Sequence, residues 1–193
     1  MKKDIILCGV GGQGILTIAT VIGEAATCAG INLKQAEVHG MSQRGGDVQS
    51  NLRLSTEEIF SDLIPIGSAD LIIAMEPMEA LRYIPFLAAD GRIITSDEPI
   101  INIPNYPNIE AIAKALQAMP HVNKLPAEAL AKQHLMPKSA NIILLGMAAP
   151  YVEIIPTNAL RNAVGRIFAP KGETIVAKNL AAFNLGLNST QVI

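Results

Sequence analysis

The chain has 193 residues, enough for an α/β domain with a sizeable core. Its formal charge of −2 gives no basic field for nucleic acid, and no apolar run reaches the roughly 18–20 residues of a membrane span. Hydrophobic residues make up 50% and charged residues 17%, so the apolar surplus must go into a large core or into a surface that meets a partner subunit.

The first element is the apolar run Asp4-Ile5-Ile6-Leu7-Cys8, a strand. It enters Gly9-Val10-Gly11-Gly12-Gln13-Gly14 and then a helical segment over 15–29, with Ile15, Ile18, Ala19, Ile22, Ala25 and Ala26 at helical spacing. Gly30 reads as its stop. A cleaved leader would remove the strand that the glycine turn needs, so the expected location is cytoplasmic. Residues 31–38 read as a second strand, 39–47 as a long polar loop, and 48–54 as a strand with one wetter face near the sheet edge. The fully apolar 71–75 suits the middle of a parallel sheet. Pro77 opens a helix running to residue 87 despite Pro85, and 91–96 is another strand. The proline-rich 99–107 is extended, 109–119 is helical, and 122–125 is a last short strand. Helices follow over 127–134, 140–149, 158–168 and 173–187, punctuated by prolines. The order predicts one Rossmann-like, doubly wound α/β domain over 1–193. Its sheet is mostly parallel, with helices on both faces and a helical C-terminal extension from about 139.

Gly9, Gly11 and Gly14 form G-x-G-x-x-G between strand and helix, a context that presents backbone N–H groups to a phosphate. No lysine follows Gly14, which excludes a Walker A loop. Glu37 stands about 20 residues on, at the end of the second strand, where an acid could hold a ribose. In a doubly wound sheet the loops after the first two strands share an edge, so Glu37, His39, Ser42, Gln43 and Arg44 are expected near the 11–14 turn. Arg44 could grip a phosphate or carboxylate with two hydrogen bonds, and His39 could carry a proton. The alternatives are glycines that serve packing alone and a loop docked against a neighbouring chain.

No catalytic set stands apart from these loops. His39, His121 and His134 have no metal-ligand spacing, and Ser42 lacks a nucleophile-elbow context. Cys8 and Cys28 cannot supply the four thiolates of an iron–sulfur cluster and read as packed thiols. Glu57-Glu58 and Asp97-Glu98 read as solvated acids. Loops of an enzyme's kind without their own acid, base, nucleophile or metal suggest a subunit.

Three segments carry a resemblance: Gly9-Val10-Gly11-Gly12-Gln13-Gly14, Glu37-Val38-His39-Gly40-Met41-Ser42-Gln43-Arg44-Gly45-Gly46, and Ala74-Met75-Glu76-Pro77-Met78-Glu79-Ala80-Leu81-Arg82. Together they resemble the gamma-type domain of 2-oxoacid:ferredoxin oxidoreductases, most of all the small subunits of the indolepyruvate branch, over residues 3–187. The resemblance implies a complex that oxidatively decarboxylates a 2-oxoacid with coenzyme A, giving acyl-CoA, carbon dioxide and reduced ferredoxin. Indolepyruvate or another arylpyruvate is the implied substrate; pyruvate, 2-oxoisovalerate and 2-oxoglutarate are alternatives. Thiamine diphosphate and the iron–sulfur clusters are implied on a large alpha subunit. This chain would shape the site, be inactive alone, and exist alone as monomer or homodimer. Gly9, Gly11, Gly12, Gln13 and Gly14, with Glu37, His39, Ser42, Gln43 and Arg44, are the residues that would meet coenzyme A phosphates or partner backbone. Two rival readings stand beside it. One is a stand-alone oxidoreductase binding NAD or NADP through residues 9–14 and Glu37; the other is a structural subunit whose glycine turn holds nothing.

Overall fold

The computed structural model describes residues 1–39 and 46–190. Six strands form one sheet in the order β2-β3-β1-β4-β5-β6. They are β1 (Lys2–Val10), β2 (Asn32–His39), β3 (Asp47–Ser55), β4 (Ala69–Ala74), β5 (Leu87–Ser96) and β6 (Val122–Leu125). The pairs β1·β4, β4·β5 and β5·β6 are parallel. Strand β3 runs against both β1 and β2, so β2 points the same way as β1 from two strands away. The sheet is therefore mixed but mostly parallel, and the loops after β1 and β2 open on the same edge.

Alternation along β1 divides the core. Ile5 and Leu7 pack with Ile18, Ile22, Leu144 and Phe183, while Ile6 and Cys8 pack with Ile72, Ile93, Ile112 and Leu116. The first layer holds α1 (Ile15–Cys28), α4 (Ala127–Gln133), α5 (Ala140–Val152), α6 (Thr157–Phe168) and α7 (Glu173–Ser189). The second holds α2 (Pro77–Arg82) and α3 (Ile109–Gln117). Helix α5 is apolar almost all round because it lies between the sheet and α7. At the α5–α7 crossing a Cβ on Gly146 would stand 2.0 Å from the Phe183 carbonyl oxygen, and one on Gly186 would stand 1.8 Å from that of Ile143. The two backbones touch there, which no other residue type permits.

Four expectations change. The helix expected over 78–87 ends at Arg82, and Ile84–Phe86 forms a 3-10 turn, because Pro85 lacks an N–H and disfavours α geometry at Ile84. The helix over 140–149 continues through Pro150 to Val152. Cys28 is exposed rather than packed, since the last turn of α1 points it away from the core. Glu98 is not merely solvated: its carboxylate accepts from the N–H groups of Glu128 (2.6 Å) and Ala129 (3.1 Å), satisfying the first turn of α4. Its neighbour Asp97 stays exposed, as read, and partial desolvation raises its carboxyl pKa. The wetter face of β3 is used as well. Arg53 lies opposite the buried Asp4 and donates to it at 2.8 and 3.2 Å, while also holding the Ser61 and Leu63 carbonyls.

Candidate functional site

The chain leaves β1 through the glycine turn, and two threads hold that turn. Gln13 Oε1 accepts from the Val10 N–H at 2.7 Å, and Gln13 Nε2 donates to the Met75 carbonyl at 3.0 Å, tying the turn to the end of β4. The Gly11 N–H donates to the Gly46 carbonyl at 2.8 Å, so the residue that precedes β3 sits against the turn. The Gln13 side chain and the Gly11 N–H are thus engaged within the chain. The N–H groups of Gly12, Gly14, Ile15 and Leu16 have no acceptor among the described residues, as befits the start of α1.

Gly14 caps α1 with φ 80°, a left-handed conformation suited to glycine. A Cβ there would come within 2.5 Å of Asn141 Nδ2. That amide donates to the Gly14 carbonyl at 3.0 Å, while Asn141 Oδ1 accepts from the Ile142 N–H at 3.0 Å. The start of α5 is thereby locked beside the start of α1.

Between the two helix starts lies a cavity of about 780 Å³. The turn and Asn141 form one wall, and Met136, Phe168 and Ile175 supply apolar surface. Lys138, Lys171 and Lys178 also line it, and Lys171 Nζ sits 5.2 Å from the Phe168 ring centroid. Buried Ser139 and Asn179 share a 3.1 Å hydrogen bond in its polar wall.

The other flank of the same sheet edge is acidic and closed. Glu76 is fully buried, yet both carboxylate oxygens are occupied. One accepts from the Glu79 N–H at 2.9 Å, and the other accepts from the Ile100 N–H and the Tyr106 hydroxyl, which fixes the 99–107 loop against α2. Glu79 is buried and paired with Arg82 at 2.8 Å. Burial raises the Glu79 pKa, and the Arg82 guanidinium opposes this without reversing it; Glu79 in turn keeps Arg82 charged. Burial also pushes the Cys8 thiol well above its ordinary value, with Glu79 and Glu76 adding to the shift, and raises Tyr83.

The sequence-predicted residues separate into three groups. Gly9, Gly11, Gly12, Gln13 and Gly14 lie together on the edge that the cavity shares. Glu37 is two strands away, level with Leu7 through Ser50, and accepts from Gln35 Nε2 at 2.6 Å. The backbone of His39 ends β2 opposite Val48. Ser42, Gln43 and Arg44 lie outside the described residues. Sequence reasoning passed over Asn141 and the three lysines. A lone polar residue opening an otherwise apolar helix was the available signal for Asn141; nothing local marks the lysines.

No group of three or more His, Cys, Asp or Glu among the described residues could hold a metal ion, and no helix there is long and apolar enough to cross a membrane. The donor set does not fit an iron–sulfur cluster: one thiol is buried under the sheet and the other is exposed on α1.

A family model described as pyruvate ferredoxin/flavodoxin oxidoreductase matches residues 4–189. The chain is 35% identical over 196 residues to "indolepyruvate oxidoreductase subunit IorB" of Archaeoglobus fulgidus, covering 97% of this chain and 95% of that one. It superposes with TM-score 0.71 and 21% identity on the keto/oxoacid ferredoxin oxidoreductase gamma subunit of Geobacter sulfurreducens, covering 99% of both chains. With TM-score 0.77 and 21% identity it also matches 31% of a longer chain of the 2-oxoglutarate:ferredoxin oxidoreductase of Magnetococcus marinus, solved with 2-oxoglutarate, coenzyme A and succinyl-CoA bound. These two likenesses show a shared fold, and the family match and the full-length relative agree on lineage: the chain belongs to the pyruvate ferredoxin/flavodoxin oxidoreductase family.

Proposed function

We propose that this chain is the small, gamma-type subunit of a cytoplasmic 2-oxoacid:ferredoxin oxidoreductase acting on indolepyruvate or a related arylpyruvate. The observation that carries the reading is the IorB likeness, which runs almost end to end in both chains. In the assembled enzyme a 2-oxoacid and coenzyme A yield acyl-CoA and carbon dioxide, and the electrons go to ferredoxin. Thiamine diphosphate and iron–sulfur clusters supply the carbanion and electron-transfer chemistry in such complexes. The two thiols of this chain do not fit a cluster, and we assign both groups to a large alpha subunit and derive no step through them here.

The chain acts as one gamma-type domain over its whole length. Its own contribution is shape and backbone polarity. Gln13 and the Gly11–Gly46 hydrogen bond fix the turn, and the Gly12 and Gly14 N–H groups at this helix start have no acceptor among the described residues. These donors, with Ser42, Gln43 and Arg44 of the sequence after β2, meet coenzyme A phosphates or partner backbone beside the reaction centre. Their role is to orient the acyl acceptor and exclude water.

The test is isolation of the native complex and an assay of ferredoxin reduction with indolepyruvate, phenylpyruvate, pyruvate and 2-oxoglutarate. The reading expects a thiamine-dependent, cluster-containing partner and highest kcat/KM for an arylpyruvate. Preference for pyruvate or 2-oxoglutarate would move the chain to another branch of the family. Turnover with NAD by the chain alone would replace the reading.

A further inference from the structure

The connection from β3 to β4, residues 56–68, has neither helix nor strand, yet it is fixed in shape. Arg53, held by the fully buried Asp4, donates to the Ser61 and Leu63 carbonyls at 3.1 Å each, and Ile64 is buried in the layer of α2 and α3. The Gly67 N–H donates to the Pro85 carbonyl at 3.0 Å. With its backbone and one isoleucine tied down, the segment turns three large apolar side chains outward: Phe60 is 85% exposed, Ile66 75% and Leu63 56%. Phe60 is the most exposed large apolar side chain among the described residues, whereas Phe86, Phe168 and Phe183 are buried or half-buried.

An ordered apolar patch with a polar rim marks a protein–protein surface, and an aromatic anchor at its centre is where such a surface concentrates its binding energy. Charge decides between partners. Glu57, Glu58 and Asp62 are exposed in the same segment, and none of them forms an ion pair among the described residues. Lys2 and Arg53, which line one hollow with Glu58 and Phe60, are both paired with Asp4. The rim is therefore acidic. A second copy seated across a two-fold axis would set these acids against their own counterparts, which costs energy. A surface with an apolar groove and a basic rim fits instead.

We propose that Phe60, Leu63 and Ile66 anchor this chain in an apolar groove of the large subunit rimmed by lysine or arginine, an assignment that rests on the small-subunit reading. Ser55 pairs with Lys2, so the patch follows the end of β3 at the start of β1, across the sheet from the glycine turn. It sets how tightly the two subunits hold together and leaves the turnover of the assembled enzyme alone.

The test is titration of purified chain into purified large subunit, read both as binding by calorimetry and as the rate of ferredoxin reduction. The variants are Phe60→Ser, Ile66→Ser and the pair Glu57→Lys with Glu58→Lys. All alter exposed side chains and should leave the urea midpoint of the free chain unchanged. The proposal expects each serine variant to weaken binding about tenfold and to shift half-saturation of the rate equally, with the plateau rate intact. The charge reversal should also weaken binding, by a factor that shrinks with added salt. Unchanged affinity in every variant beside a wild-type chain that binds would overturn the proposal and leave the small-subunit reading standing. A lowered plateau at unchanged affinity would overturn it too. So would a free chain that dimerises until Phe60→Ser makes it a monomer, since the occupant would then be a second copy. A wild-type chain that does not bind the large subunit removes the reading and the proposal together.

Discussion

Asn141 Nδ2 donates a 3.0 Å hydrogen bond to the carbonyl of Gly14, joining the C-terminal helices to the glycine turn across most of the chain. The contact is tight as well as polar, because a Cβ on Gly14 would stand 2.5 Å from that nitrogen. The Gly14 carbonyl also accepts from Thr17 and Ile18, so removing the amide does not orphan it. Asn141→Ala should therefore cost only about 1 kcal/mol in urea unfolding. Gly14→Ala should cost more, about 2 kcal/mol, by adding φ strain to the clash. The double variant should cost less than the sum of the two, since the alanine at 141 removes the clash and leaves the strain.

The α5–α7 crossing makes a sharper prediction. Gly146→Ala or Gly186→Ala puts a methyl group within 2.0 Å of a backbone carbonyl oxygen, which cannot turn aside as a side chain would. The helices must part, and α5 carries much of the core with it. A loss of about 3 kcal/mol or more is expected for either variant. Gly165→Ala, where an added Cβ on the interior of α6 meets nothing within 4 Å, is the control and should be neutral or slightly stabilising.

The two cysteines should separate by labelling. Cys28 is exposed, whereas Cys8 is buried with its thiol pKa held well above the ordinary value by burial. Iodoacetamide at pH 8 should modify one thiol per native chain, mapped by mass spectrometry to Cys28, and both thiols only after denaturation. Between the ordinary thiol pKa and the raised one, the native chain keeps a proton that the unfolded chain releases. Stability should therefore fall as pH rises through that range, and Cys8→Ala should lessen the fall.

Glu79 follows the same sign at lower pH. Its folded pKa is raised by burial against the pull of Arg82, so above the ordinary carboxylate pKa the unfolded chain gives up a proton that the native chain holds more tightly. The unfolding free energy should decline as pH rises from the ordinary value through the raised one. In a pH series of urea melts, Glu79→Gln should lack that decline, whatever it loses from the Arg82 pair.

Much of this fold is written locally. The apolar run Ile5-Ile6-Leu7-Cys8, the glycine turn and the spacing of Ile15, Ile18 and Ile22 mark strand, turn and helix, and all three stand where the pattern puts them. Strand direction is not local: the alternation of Val48 to Leu54 marks its two faces, but only pairing with β1 and β2 makes it antiparallel and one strand in from the edge. Pro85 was visible, and its power to end α2 at Arg82 outweighed the helical pattern around it. Glu98 looked like a surface acid because its partners, the N–H groups of Glu128 and Ala129, are backbone groups with no signature in side-chain chemistry. The cationic cavity was the least legible feature. Lys138, Lys171 and Lys178 are scattered and ordinary until the fold brings their segments to one space.

The central claim is that this chain contributes shape and anion-directed backbone to an enzyme whose reactive groups lie on another subunit. Stoichiometric reconstitution tests it most directly: purified chain is titrated into purified large subunit, and indolepyruvate-dependent, coenzyme A-dependent ferredoxin reduction is followed. The account predicts no rate from the chain alone, and a rate that rises to a plateau at a fixed ratio of the two subunits. Full activity from the large subunit without this chain, or turnover by this chain without the large subunit, would contradict it.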